Sequence, residues 1–139
     1  MKSILIGIIF CVVALVKADI INDKAIEVSG NIQCCRAASP IVMAISGLDE
    51  NCESPQKVRI ELWDYFTIFP NVRLYWLDTE KSSEYSFRWA DGKFFDVKPF
   101  LKIHVECSDG TVLDENYDYM DTKPKKISQD VKVSMPRKS

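Results

Sequence analysis

Few side chains in this sequence are equipped for chemistry. His104 is its only histidine. It sits in Leu101-Lys102-Ile103-His104-Val105-Glu106-Cys107, on the polar parity of an alternating run. Imidazole is the usual general base near neutral pH, but it needs a nucleophile or a metal to act on. No Gly-x-Ser-x-Gly turn and no His-Glu-x-x-His stretch occurs. His104 therefore reads as a solvated or hydrogen-bonded strand residue. The expectation is no catalytic residue, no cofactor and no metal centre.

The cysteines carry more information. There are five: Cys11, Cys34, Cys35, Cys52 and Cys107. Cys11 lies in an uninterrupted apolar run over residues 4–16, preceded by Lys2 and closed by Val16-Lys17-Ala18. That pattern reads as a secretory signal peptide, residues 1–18, with one mature domain over 19–139. The run is shorter than the roughly 20 residues a membrane-spanning helix needs. Four cysteines then remain in an exported chain, which points to two disulfides. Adjacent Cys34-Cys35 with two isolated partners does not match the paired spacing of a thiolate zinc site.

Three further clusters invite a functional reading. Trp63, Tyr65, Phe66, Ile68 and Phe69 crowd one strand end and loop. Their simplest role is core and loop packing; the functional alternative is a binding patch bordered by Trp63, Tyr65, Phe66 and Phe69. Asp114, Glu115, Asp118 and Asp121 form an acidic stretch without the calcium-loop pattern, which reads as a solvated loop. Lys123, Lys125 and Lys126 follow, with Arg137 and Lys138 at the tail. They fall short of an anionic-lipid cluster and read as a solubilising tail. No Asn-x-Ser/Thr acceptor occurs.

The elements that must position these residues alternate with period two. Ile26, Val28, Gly30, Ile32 and Cys34 share one parity. So do Val58, Ile60 and Leu62; Val72, Leu74 and Trp76; Tyr85, Phe87 and Trp89; Leu101, Ile103, Val105 and Cys107; and Ile127, Val131 and Val133. Turn residues separate them at Phe69-Pro70-Asn71, Ala90-Asp91-Gly92 and Ser108-Asp109-Gly110. Short strands without a helical stripe predict an all-β, antiparallel two-sheet sandwich of seven to eight strands. Residues 36–55 are the exception, open to a long loop, a short helix around residues 42–45 or an extra strand. Parity favours Cys34 with Cys107 and Cys35 with Cys52. The competing pairing, Cys35 with Cys107, requires Cys35 to turn inward.

Length and charge narrow the function. The 139 residues suit one domain. Removing Lys2 and Lys17 from the 18 basic residues leaves 16 against 20 acidic ones, a net charge of −4. A nucleic-acid partner held by phosphate contacts is excluded on that balance.

Gly30-Asn31-Ile32-Gln33-Cys34, Lys57 to Asp64 (KVRIELWD), Pro99 to Cys107 (PFLKIHVEC) and Val131 to Pro136 (VKVSMP) follow one another in this order. After a leader, they resemble the transthyretin-like family of secreted nematode proteins, over residues 25–136. His104 lies one position earlier than the family's usual histidine, and Cys52 falls in a longer interval. The resemblance implies a transthyretin-like, disulfide-bearing sandwich in the extracellular space. It also implies a non-enzymatic binding module: a surface adaptor for a receptor, a host protein or a phospholipid such as phosphatidylserine. The alternative is an extracellular carrier of a small apolar ligand. The related purine-pathway hydrolase needs several histidines and a terminal Tyr-Arg-Gly-Ser, neither of which is present.

Overall fold

Alternation becomes pairing in the computed structural model, which describes residues 25–90 and 96–137. The expected leader, residues 91 and 92 of the second turn, and Lys138 lie outside the described residues. Nine strands and one short helix follow in order: β1 (Ala25–Ala37), α1 (Pro40–Ser46), β2 (Glu50–Glu53), β3 (Lys57–Asp64), β4 (Val72–Glu80), β5 (Glu84–Ala90), β6 (Pro99–Glu106), β7 (Val112–Asp118), β8 (Lys126–Ser128) and β9 (Val131–Met135).

They form two sheets. One has the order β4-β3-β6-β7, antiparallel throughout. The other is organised on the 13-residue β1. Antiparallel β5 pairs with its first half and antiparallel β2 with its end. β8 and β9 run parallel to β1 with a constant offset, Glu27 opposite Lys126 and Ile32 opposite Val131.

Alternating apolar side chains from the two inner faces fill the space between the sheets. Val28, Ile32, Ile127 and Val133 on one side meet Ile60, Leu62, Leu101 and Ile103 on the other, all essentially buried. Tyr75 stacks on Phe87 across the gap, with ring centroids 4.8 Å apart. A bond between Cys34 and Cys107 joins β1 to the end of β6, and one between Cys35 and Cys52 ties β1 to β2. Cys35 is buried as well as Cys34.

The joint between β8 and β9 explains Gly30. A Cβ at Gly30 would lie 1.9 Å from the Gln129 carbonyl oxygen and 2.8 Å from Tyr85 Cε1. Tyr85 stands opposite Gly30 on β5 and donates its hydroxyl to that same carbonyl at 2.7 Å. Glycine is required here for close backbone approach, not for an unusual backbone angle.

Three local expectations are corrected. Val72, Leu74 and Trp76 do not share a face. The β3–β4 register shifts at Leu62 and Trp63, so Tyr75 faces Leu62 while Arg73 faces Trp63, with Leu74 as the extra residue. A bulge of this kind reverses parity. Trp76 therefore points outward opposite Glu61, half exposed. The acidic stretch is not a loop: most of it is β7, paired with β6. Its carboxylates serve protein donors. Asp114 meets His104, Glu115 accepts from the Tyr117 hydroxyl, and Asp118 accepts from the Met120 amide. Residues 36–55 hold both a helix and a strand rather than one of the alternatives.

Candidate functional site

The two sheets part at the end where β3 and β5 finish and β1 and β6 begin. A cleft of about 740 Å³ opens there, within the range typical of small-molecule sites. Its walls are mainly apolar: Phe66, Val72, Leu74, Trp89, Val97 and Pro99. Each wall has a local cause. Trp89 arrives on the inner parity of β5, beside Ile26 of β1. Leu74 arrives because the bulge displaces it. Pro99 is fully buried at the start of β6, where its carbonyl accepts from the Tyr119 amide.

Polar and charged residues share the lining, Thr67 and Asp96 among them. Asp64 is the one buried charged residue recorded among the described residues, and it lines the cleft. One carboxylate oxygen accepts the Lys98 amide at 2.9 Å. The Tyr65 amide donates to the Lys98 carbonyl at 3.0 Å, so residues 64–65 and residue 98 clamp each other. Lys98, Lys123 and Lys125 also line the cleft, and Lys123 reaches Asp96 at 3.9 Å. The cleft thus offers apolar walls, a buried hydrogen-bond acceptor and lysine side chains.

The four aromatic residues of the expected patch divide between surfaces. Tyr65 and Phe66 line the cleft, each a little over one-third exposed. Phe69 stands out at the tip of the β3–β4 loop beside Ile68, at 70% and 87% exposure. Trp63 belongs to the outer face of the four-stranded sheet. There it stacks on Phe100 at 6.1 Å, with the Lys102 ammonium 4.2 Å from its ring centroid. Arg73 lies 4.2 Å from the Trp76 centroid and pairs with Glu61 at 2.8 Å. These contacts form a cation–aromatic surface in their own right. Sequence reasoning missed Ala25, Ile26, Leu74, Trp89, Val97 and Pro124 as cleft residues. They lie on segments spread across the chain, and no local motif marks them.

His104 projects from the outer face of β6. Its Nδ1 is 2.5 Å from Asp114 and its Nε2 is 3.2 Å from Glu106. The hydrogen bond to Asp114 raises its pKa above the ordinary value, with Glu106 helping and slight burial opposing. The ring is held between two carboxylates at the surface, away from the cleft lining. Cys35, Glu50 and Cys52 bring ligand-type atoms together within 4.8 Å. The two sulfurs are bonded to each other, so neither is a thiolate that could hold a metal. No helix among the described residues is long and apolar enough to cross a membrane.

No family model and no curated protein matches the chain. Among solved structures it is similar to a 9R-lipoxygenase from Cyanothece PCC8801, at 12% identity and a TM-score of 0.43. The match covers 82% of this chain and 17% of that one.

Proposed function

We propose that this protein is a secreted, non-enzymatic binding module that carries a small apolar ligand in the end cleft. The carrying observation is the cleft itself: about 740 Å³, walled by Phe66, Leu74 and Trp89, with the Asp64 carboxylate as a fixed acceptor. Apolar walls with a few polar anchors are what small-molecule sites use to combine affinity with orientation. Asp64 favours a ligand that presents a hydroxyl or amine donor, because a buried carboxylate gains from each hydrogen bond it accepts. Two disulfides support an oxidising, extracellular setting. The sandwich and the segments around Cys34 and Cys107 support placing the chain with the transthyretin-like secreted proteins.

Native mass spectrometry of the mature chain, after incubation with a lipid and metabolite extract, tests the proposal. A retained extra mass that disappears in Leu74→Arg is expected. A bare mass in the unsubstituted protein overturns it. Asp64→Asn keeps the apolar walls and should weaken retention by about tenfold, the scale of one charge-assisted hydrogen bond. The adaptor reading rests on a different observation, the exposed Ile68 and Phe69 at the loop tip. Replacing both with serine should leave small-ligand retention unchanged if the cleft is the site.

A further inference from the structure

The insertion between β1 and β2 presents a surface that the cleft does not use. Residues 39–49 are all exposed, and α1 within them buries none of its residues. Yet the segment is apolar. Ile41, Ile45 and Leu48 are 71%, 81% and 61% exposed, with Val42 and Met43 at 46% and 40%. Residues 37–48 contain no charged side chain.

So short a helix has little intrinsic stability in water. This one is held at its ends. The Ser39 hydroxyl accepts the Val42 amide, and Pro40 begins the helix. Gly47 ends it in the left-handed conformation, at φ 70°, donating its amide to Met43. Beneath it, the β1–β2 ladder and the Cys35–Cys52 bond fix the stem. The result is an uncharged finger whose helix is about 10 Å long at 1.5 Å per residue.

We propose that this finger inserts into the interfacial layer of an electrically neutral lipid bilayer. Two observations favour a bilayer over a protein partner, and a third says which kind of bilayer. The side chains of residues 40–45 are all apolar and, at 100° per residue, surround most of the helix. A protein groove takes one face of a helix, whereas an apolar medium takes all of it. The area is also small. The five large side chains, with Val42 and Met43 more than half covered, fall short of the ~800 Å² and roughly 20–30 residues per partner of a stable protein interface. Charge is the third. The base of the finger is already neutralised, with Lys132 paired to Glu50 and Arg36 to Asp109 at 3.2 Å. With Asp49 beside the base and Arg137 following the end of β9, the described charges there balance, which leaves no net attraction for anionic headgroups. The bilayer surface that suits this finger is therefore zwitterionic.

Flotation of the full mature chain with phosphatidylcholine vesicles tests this directly. Binding is expected, unchanged between 0.1 and 0.5 M salt on the order expected for an uncharged contact. The double variant Ile41→Ser/Ile45→Ser should reduce the bound fraction at least tenfold. Its melting temperature should not move, since neither side chain is buried. The proposal is overturned by no flotation of the unsubstituted protein, equal flotation of the double variant, or binding only to anionic vesicles that salt abolishes. A dimer in solution that the double variant dissociates also overturns it, assigning the finger to a second copy. The cleft opens at the opposite end of β1, so failure here leaves the carrier proposal standing.

Discussion

The strictest demands fall on single residues around Gly30. Gly30→Ala would drive a methyl group into the Gln129 carbonyl, a backbone atom that cannot swing aside. Overpacking of this kind costs about 1–3 kcal/mol, and displacement of the β8–β9 joint places this site at the upper end. Urea denaturation should show the loss as a lower midpoint with an unchanged slope. Tyr85 supplies the complementary test. Burial pushes its phenol well above the ordinary value of 10, with Tyr119 and Asp130 adding to the shift. Below pH 10 both the folded and unfolded chains keep this proton. As pH rises past 10 the unfolded chain releases it first, so the folded state loses stability. Tyr117 and Tyr119 are shifted in the same direction. Tyr85→Phe should cost about 1 kcal/mol at neutral pH through the lost hydrogen bond. It should also make the decline between pH 10 and 12 shallower. An unchanged alkaline slope would show that Tyr85 does not carry it.

At the scale of elements, stability is divided unevenly. β3 and β6 pair with each other along their whole lengths and are flanked by β4 and β7. Their inner residues Ile60, Leu62, Leu101 and Ile103 are at most 1% exposed. By contrast, α1 has caps and no buried residue. Local opening should therefore cost little there and approach the global value in β3 and β6. Hydrogen exchange by mass spectrometry should show α1 amides exchanging within seconds while the β3 and β6 amides stay protected for hours. Comparable protection in α1 would mean that something covers it in solution.

Across the whole molecule, the two disulfides have different reach. Cys34–Cys107 closes a span of 73 residues and connects the two sheets. Cys35–Cys52 closes 17 residues within one sheet. Loop-closure entropy assigns roughly 4 kcal/mol to the first and about 3 kcal/mol to the second. The pair Cys34→Ala/Cys107→Ala should lower thermal stability across both sheets. The pair Cys35→Ala/Cys52→Ala should lower it less and fray mainly β2 and α1. Peptide-resolved exchange on the two double variants separates these outcomes, and equal, global loosening in both would refute the distinction.

Much of this was legible in the residues, because a half-buried strand must alternate. Ile26 to Cys34, Val58 to Leu62 and Leu101 to Cys107 declare their inward faces by parity alone, and the even set of cysteines after residue 18 declares an oxidised chain. Where pattern and structure parted, the cause was non-local. The bulge at Leu74 turned Trp76 outward, and nothing in the order Val72-Arg73-Leu74-Tyr75-Trp76 encodes an extra residue. β7 looked like an acidic loop because an edge strand can carry polar side chains on both faces once its partner, β6, supplies the pairing. The candidate site was only partly visible. Tyr65 and Phe66 stood out as aromatic neighbours, whereas Ala25, Trp89 and Pro124 converge on them only when the two sheets part at one end. Period and composition are local properties, so strands, their inward faces and an even set of cysteines can be read from residue order alone. A cleft is a property of how distant surfaces fail to meet, and an exposed apolar helix is one that no other element covers, so both emerge only when the chain is folded.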